Sequence, residues 1–290
     1  MYVLKNDELE IEINAHGAEL VRVNRDGVDY LWNGNPEFWG RTSPVLFPIV
    51  GAVADDTYFI NGEKFELSQH GFARDMDFEI VSKTGEDIWF KITSTEETRI
   101  KYPFYFELII GYKLDGASVV VMWEVVNSGD VRMPFSIGAH PAFMTDPTIS
   151  DYSLHMTDSR GIKTYVFDDV NGIVDVAAGK VQIIENLPFL PLSKDLFVEF
   201  PTLILEGESR IMLCSYNHDR EVEISFGGFP FVGIWSPIND AGAIAPFVCI
   251  EPWYGMADTS PLSGELAEKK GIELLEAGEK FTASYTMTFR

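Results

Sequence analysis

The chain has 290 residues, of which 45 are acidic and 22 basic, for a formal net charge of −23. A surface this negative repels phosphate backbones and anionic lipid, and no Lys/Arg run compensates, so neither nucleic acid nor a membrane is an expected partner. Hydrophobic residues at 46% and aromatics at 13% exclude a disordered acidic chain and suffice for a large packed core.

Residues 1–8 contain neither a basic nor an apolar leader region, and no stretch approaches the ~18 apolar residues of a spanning helix. A cytoplasmic location is therefore expected. Leu9, Ile11 and Ile13 alternate with Glu10 and Glu12, the period of a half-buried strand. Residues 58–60 and 65–67 flank Asn61-Gly62, whose tolerance of positive φ predicts a tight hairpin. Phe78 and Ile80 begin a strand that turns at Thr84-Gly85 into Ile88, Phe90 and Ile92. Residues 108–114 turn at Asp115-Gly116 into the run 119–123, which reads as a central strand.

Residues 146–179 carry the weakest pattern and read as an excursion of loops and short strands. Short helices are predicted over 193–198 and 262–270, the second limited by Gly264 and Gly271. Ile211 and Leu213 lead through the polar turn 217–220 into Val222, Ile224 and Phe226. The last strand is the plainest, with Phe281, Ala283, Tyr285, Met287 and Phe289 alternating with threonines and a serine. Strands recurring about every ten residues, with no linker between them, predict an all-β protein, a large antiparallel sandwich or barrel with a few short helices, forming one domain over 1–290.

Cys214 and Cys249 lie in apolar strand-like contexts and are expected to be reduced, buried thiols. Of the five histidines, His16 falls in a turn and His218 in a hairpin turn, where a solvated role is the expectation, and His155 reads as an ordinary strand residue. His70 follows a strand in a segment dense with hydrogen-bonding groups, 68–75, where rigid scaffolds place binding residues. His140 precedes Pro141, which disfavours the α region and predicts an extended residue at a strand end or kink. Either histidine, taken alone, is as well explained by a core imidazole bonded to a backbone carbonyl.

Glu251 follows the apolar run 245–250 and precedes Pro252-Trp253. It is either paired structurally or displayed into a pocket beside aromatic rings, where desolvation would raise its pKa towards that of a general base. No GxGxxG or GxxxxGK[ST] phosphate cradle is present, no GxSxG elbow, and no HExxH or HxH metal spacing, so no cofactor or metal is expected. Two imidazoles, a carboxylate and many aromatic rings suit a sugar, whose faces stack on Trp and Tyr while its hydroxyls take hydrogen bonds.

Four segments in order, 41–51, 69–75, 138–143 and 249–253, give the chain a specific resemblance to the aldose 1-epimerase (galactose mutarotase-like) family, and within it to the LacX-like branch. The resemblance implies a large antiparallel β-sandwich with the sugar in an open cleft. It implies Glu251 as the base at the anomeric hydroxyl, His140 as the acid at the ring oxygen, and His70 orienting the substrate. Proximity to Glu251 is expected to favour a protonated His140. The substrate would be a hexose or pentose, with or without a phosphate, and the protein a monomer or homodimer. The chain departs from galactose mutarotases at Ala52, where they usually carry an arginine, which weakens galactose as the expected substrate. Arg41 and Arg74 are the guanidiniums in the matched segments, each able to bind an anion or simply to pair with a carboxylate such as Asp75. Trp235 and Trp253 are candidate stacking surfaces, with core packing an equal alternative. Two further functions remain open: a sugar-binding protein without turnover, and a metal-dependent isomerase with His70, His140 and Glu251 as ligands.

Overall fold

A computed structural model describes residues 1–157, 161–168, 172–185, 187–260 and 264–290. The alternation along the chain becomes two large antiparallel sheets. Across the nine-stranded sheet the order is Phe189–Pro191, Tyr152–Met156, Arg210–Ser215, Glu221–Ser225, Lys280–Phe289, Ser118–Asn127, Phe106–Asp115, Asp87–Thr93 and Glu79–Lys83. Segments far apart in sequence therefore pair directly: the final strand sits between Glu221–Ser225 and Ser118–Asn127, with Val121 opposite Tyr285. Ser118–Asn127 buries every second residue, Val119, Val121, Trp123, Val125 and Asn127, as its period requires. Each such apolar side chain contributes about 1.5–3 kcal/mol by leaving water.

The second sheet runs Thr202–Glu206, Phe231–Trp235, Phe247–Tyr254, Ile137–Ala139 and Val45–Leu46, with Ala142–Met144 also pairing Phe247–Tyr254. Its two faces divide by parity. Val232, Ile234, Val248, Ile250 and Ile137 join Val119, Val121 and Val125 of the large sheet in one hydrophobic core. Phe247, Cys249 and Trp253, on the opposite face, belong to separate apolar clusters, and Glu251 shares their parity. One strand thus anchors the core with its even residues and presents chemistry with its odd ones.

The Asn61-Gly62 hairpin forms with φ of 51° and 79°, the left-handed pair of a type I′ turn. The excursion becomes a long hairpin of Gly161–Asp168 with Ile173–Glu185, joined in parallel by Thr259–Ser260; residues 158–160 and 169–171 of that segment lie outside the described residues. Lys194–Glu199 is helical with Ser193 as its N-cap. The helix expected over 262–270 is only a 3-10 turn, Leu266–Glu268. Its start, at 262–263, lies outside the described residues. Gly264 and Gly271, at φ of 78° and 72°, take left-handed conformations that a helix does not continue, and the Glu265 carboxylate instead accepts from the Asn61 and Gly62 N–H groups. A helix not expected, Glu96–Lys101, is closed by a Thr95–Thr98 capping box. Cys249 is buried and Cys214 only half-buried, and both are free thiols. No described helix is long and apolar enough to cross a membrane.

Candidate active site

Glu251 stands opposite Gly233 in the Phe247–Tyr254 ladder. A Cβ on Gly233 would lie 2.3 Å from the Trp253 ring, and one on Gly138, opposite Trp253 on the other neighbouring strand, 2.7 Å from the same indole. Trp253 therefore lies flat across both flanking strands, and the two glycines are required by that close approach. Its indole N–H makes no well-formed hydrogen bond among the described residues.

The strand Ile137–Ala139 stops where His140-Pro141 interrupts the ladder, before Ala142–Met144 resumes it. At this kink, where Pro141 leads one to expect it, the register still runs on, with Gly138 opposite Trp253 and Ala142 opposite Cys249, so His140 falls opposite Glu251 and shares its face. His140 Nε2 lies 3.2 Å from Glu251 Oε2, with both side chains buried. Neither that oxygen nor His140 Nδ1 has a well-formed hydrogen bond among the described residues. Trp39 stacks on the imidazole, with ring centroids 4.6 Å apart and planes at 29°, while Trp235 meets its edge at 5.5 Å and His70 at 5.6 Å.

His70 reaches the site from a loop held in a left-handed conformation, with φ of 67° at His70 and 68° at Gly71. A Cβ on Gly71 would lie 2.3 Å from the Phe47 carbonyl oxygen, so the loop packs too closely on residues 47–51 for any other side chain. The Gly51 N–H donates to His70 Nδ1 at 3.1 Å. A ring nitrogen that accepts carries no proton, so the neutral imidazole must hold its hydrogen on Nε2. Gly51 is fixed in turn by Ala257, whose Cβ would lie 2.5 Å from a Cβ on Gly51. The neighbouring Asp258 ties down the same loop, its carboxylate accepting from the Ala54 N–H at 3.0 Å and its own N–H donating to the Ala52 carbonyl at 2.9 Å. Lys269, buried with it, pairs with Asp258.

Glu251, His140, His70, Arg74, Trp235 and Trp253 share the walls of one cavity of about 220 Å³. Trp39, Gln69 and Thr202 add to its polar and aromatic lining, and Phe167 of the long hairpin and Ile204 to its apolar side. Arg41 is not on the wall: its guanidinium bonds Asp75 at 2.6 Å. Arg74 donates to the Gln69 carbonyl at 2.7 Å, while its buried Nε has no hydrogen-bond partner among the described residues. Trp39, like Phe167 and Thr202, is a lining residue that sequence inspection misses. It lies in an irregular loop with no period to mark it, and only tertiary contact brings it onto His140.

Burial governs the electrostatics. Desolvation pushes the Glu251 carboxyl well above the usual carboxylate range, opposed by the adjacent Trp253 indole. It pushes His140 down to about 3 and His70 well below the ordinary imidazole value, with the His140, Arg74 and Arg41 charges adding to the effect on His70. Proximity to Glu251 thus does not by itself make His140 an imidazolium. Water exclusion penalises both charges and so favours one carboxylic acid beside one neutral imidazole over the ionised pair. The remaining histidines stay apart: His16 pairs with exposed Asp77, His155 is exposed on its strand, and His218 meets the Tyr152 hydroxyl at 3.0 Å.

A kinked strand, an aromatic-walled cleft and a buried carboxylic acid beside imidazole on a two-sheet antiparallel scaffold define a class, and the sequence profile of the aldose 1-epimerase family matches residues 1–288. The chain belongs to that family. It is 30% identical over 279 residues to the chromosomal Protein LacX of Lactococcus lactis subsp. lactis, covering 92% of this chain and 91% of that one. A galactose mutarotase-related enzyme from Lactobacillus acidophilus superposes with a TM-score of 0.93 at 35% identity, over 100% of this chain and 97% of that one. A galactose mutarotase-like protein from Lactobacillus casei superposes at 0.89 with 28% identity, over the whole of both chains.

Proposed function

We propose that the protein is a cofactor-independent aldose 1-epimerase that interconverts the α and β anomers of a neutral hexose or pentose in the cytoplasm. The observation that carries this reading is the buried contact of 3.2 Å between His140 Nε2 and Glu251 Oε2 on the wall of a tryptophan-lined cavity. In its ionised form the pair has a carboxylate to take the proton of the anomeric hydroxyl and an imidazolium to protonate the ring oxygen. The C1–O5 bond then breaks and the aldehyde forms. What opening leaves is a protonated Glu251 and a neutral His140, the form that burial favours. Rotation about C1–C2 exposes the other carbonyl face. Closure returns both protons: His140 takes the one on the C5 hydroxyl as its oxygen attacks C1, and Glu251 gives its own to O1. Each group typically contributes ~10²–10⁴-fold as a general acid or base. The His70 Nε2–H is a fixed donor to a sugar oxygen, and Trp39, Trp235 and Trp253 offer apolar surface to the sugar faces.

The neutral-sugar preference follows from the net charge of −23 and from the pairing of Arg41 with Asp75, which leaves Arg74 as the guanidinium on the cavity wall. Polarimetry on freshly dissolved α-anomers of a hexose, pentose and hexose-phosphate panel tests it. Faster relaxation is expected for at least one neutral aldose. The same panel serves a second reading, a sugar-binding protein without turnover, which the burial of both members of the pair favours because it opposes the ionised form that ring opening uses. Thermal stabilisation by a sugar with no acceleration of any anomer would establish that reading instead.

A further inference from the structure

Cys249 stands two residues before Glu251 on the same face of the strand Phe247–Tyr254. In an extended strand, i and i+2 side chains point the same way, so a thiol and a carboxylate project together towards the kink that carries His140. One ligand atom from each of His140, Cys249 and Glu251 falls within 4.8 Å of the others, and all three residues are buried. A tetrahedral zinc ion, with Zn–S of about 2.3 Å and Zn–N and Zn–O of about 2.0–2.2 Å, needs its ligand atoms roughly 3.3–3.8 Å apart. The 3.2 Å separation of His140 Nε2 from Glu251 Oε2 lies just below that range, and the thiol, within 4.8 Å of both atoms, has to approach further to seat the ion. Glu251 Oε2, fully buried, has no well-formed hydrogen bond among the described residues. Because Glu251 and His140 also line the cavity, a fourth position opens onto it.

We propose that a thiophilic divalent cation, Zn²⁺, binds reversibly to His140, Cys249 and Glu251 and blocks the site. The nitrogen, sulfur and oxygen donor set suits zinc over magnesium or calcium, which take oxygen ligands. The geometry also says that the ion is an inhibitor rather than a resident cofactor. A ligating histidine normally donates its second ring N–H to an acceptor that orients it, and loss of such a partner costs about 10–100-fold in affinity. His140 Nδ1 makes no well-formed hydrogen bond to such an acceptor among the described residues. Zinc binding displaces the thiol proton and the proton that Glu251 and His140 hold between them, and withdraws the acid–base pair from any sugar. The blocking effect, though not the binding, rests on the proposed anomerase activity.

Calorimetric titration of the chelator-treated protein with zinc chloride should give one site per chain. Cobalt(II) in its place should give a near-ultraviolet thiolate-to-cobalt charge-transfer band. Cys249→Ser should abolish that band and weaken zinc binding at least about tenfold, the lower end of the loss seen for mere outer-shell partners. In the presence of EDTA, that variant should keep the wild-type rate of anomer exchange, while zinc slows exchange in the wild type and sugar competes with it. If Cys249→Ser does not fold, the cobalt band of the wild type and its loss in Cys249→Ala decide. A wild-type protein without the band, or zinc binding unchanged in the cysteine variant, overturns the site. Zinc binding with the band but no anomer exchange under EDTA leaves the metal site standing and removes the anomerase reading. Exchange without the band does the reverse.

Discussion

One proton held between Glu251 and His140 sets the chemistry at the scale of residues, and it has a pH signature. Activity requires the pair to carry that one proton. It is lost on the acid side when His140 gains a second, near its depressed value of about 3, and on the alkaline side when the raised carboxyl of Glu251 gives its proton up. The expected kcat/KM profile is a bell whose limbs belong to the pair rather than to either group. Its acid limb falls well below the ordinary histidine range, and an acid limb near pH 6.5 would contradict a desolvated His140. Trp39 acts through contact with the same ring. Removing its stacking in Trp39→Leu should cost about 0.5–1.5 kcal/mol, a roughly two- to tenfold loss of kcat/KM, with Trp39→Phe recovering part of it. Asp258 lies behind the site and beside buried Lys269. Asp258→Asn leaves that ammonium without its countercharge and should cost about 3–5 kcal/mol in urea unfolding. A variant as stable as the wild type would show the pair to be dispensable.

Among the elements, the strand Phe247–Tyr254 joins fold to site, and its glycine-lined neighbours make the arrangement testable. Gly233→Ala places a methyl group against the rigid Trp253 ring and should destabilise by about 1–3 kcal/mol while pushing the indole towards the cavity, lowering kcat/KM. Gly227→Ala, with nothing within 4 Å of its Cβ, should stay within about 0.5 kcal/mol in the same unfolding experiment. Equal effects would mean that Trp253 does not need the flat seat. Most of these strands were legible beforehand, either because side-chain parity writes burial into the sequence, as at 281–289, or because an unbroken apolar run marks a central strand, as at 119–123. The helix Glu96–Lys101 was not: it is only six residues long, almost all surface, and its cap uses Thr98 where glutamate is the familiar signal. At the site, His70, His140 and Glu251 stood out through local backbone chemistry, the loop and the two pre-proline positions. Trp39 and the turning of Arg41 to Asp75 depend on which loops meet in space, and no local pattern encodes that.

For the whole molecule, the buried acid makes stability depend on pH in a calculable direction. Glu251 has a folded pKa raised above its unfolded value of about 4.3, so its contribution is intact below that pH and declines as pH rises towards the folded pKa, by about 1.4 kcal/mol per unit. Glu251→Gln removes this penalty. The variant should gain melting temperature over the wild type progressively from pH 4 upwards, and a constant difference at every pH would contradict a desolvated carboxyl. The net charge of −23 acts at the same scale. KM for a hexose phosphate should fall as salt screens the repulsion, whereas KM for a neutral aldose should stay level.

Exchange NMR on an anomeric mixture already at equilibrium tests anomerisation by Glu251 most directly. With the wild-type protein, cross-peaks between the α and β anomeric protons are expected to grow far faster than in buffer. With folded Glu251→Gln they are expected to fall by about 10²–10⁴-fold, the span of one general base. Undiminished cross-peaks in that variant would contradict the assignment of Glu251, and their absence in the wild type for every aldose of the panel would contradict the anomerase itself.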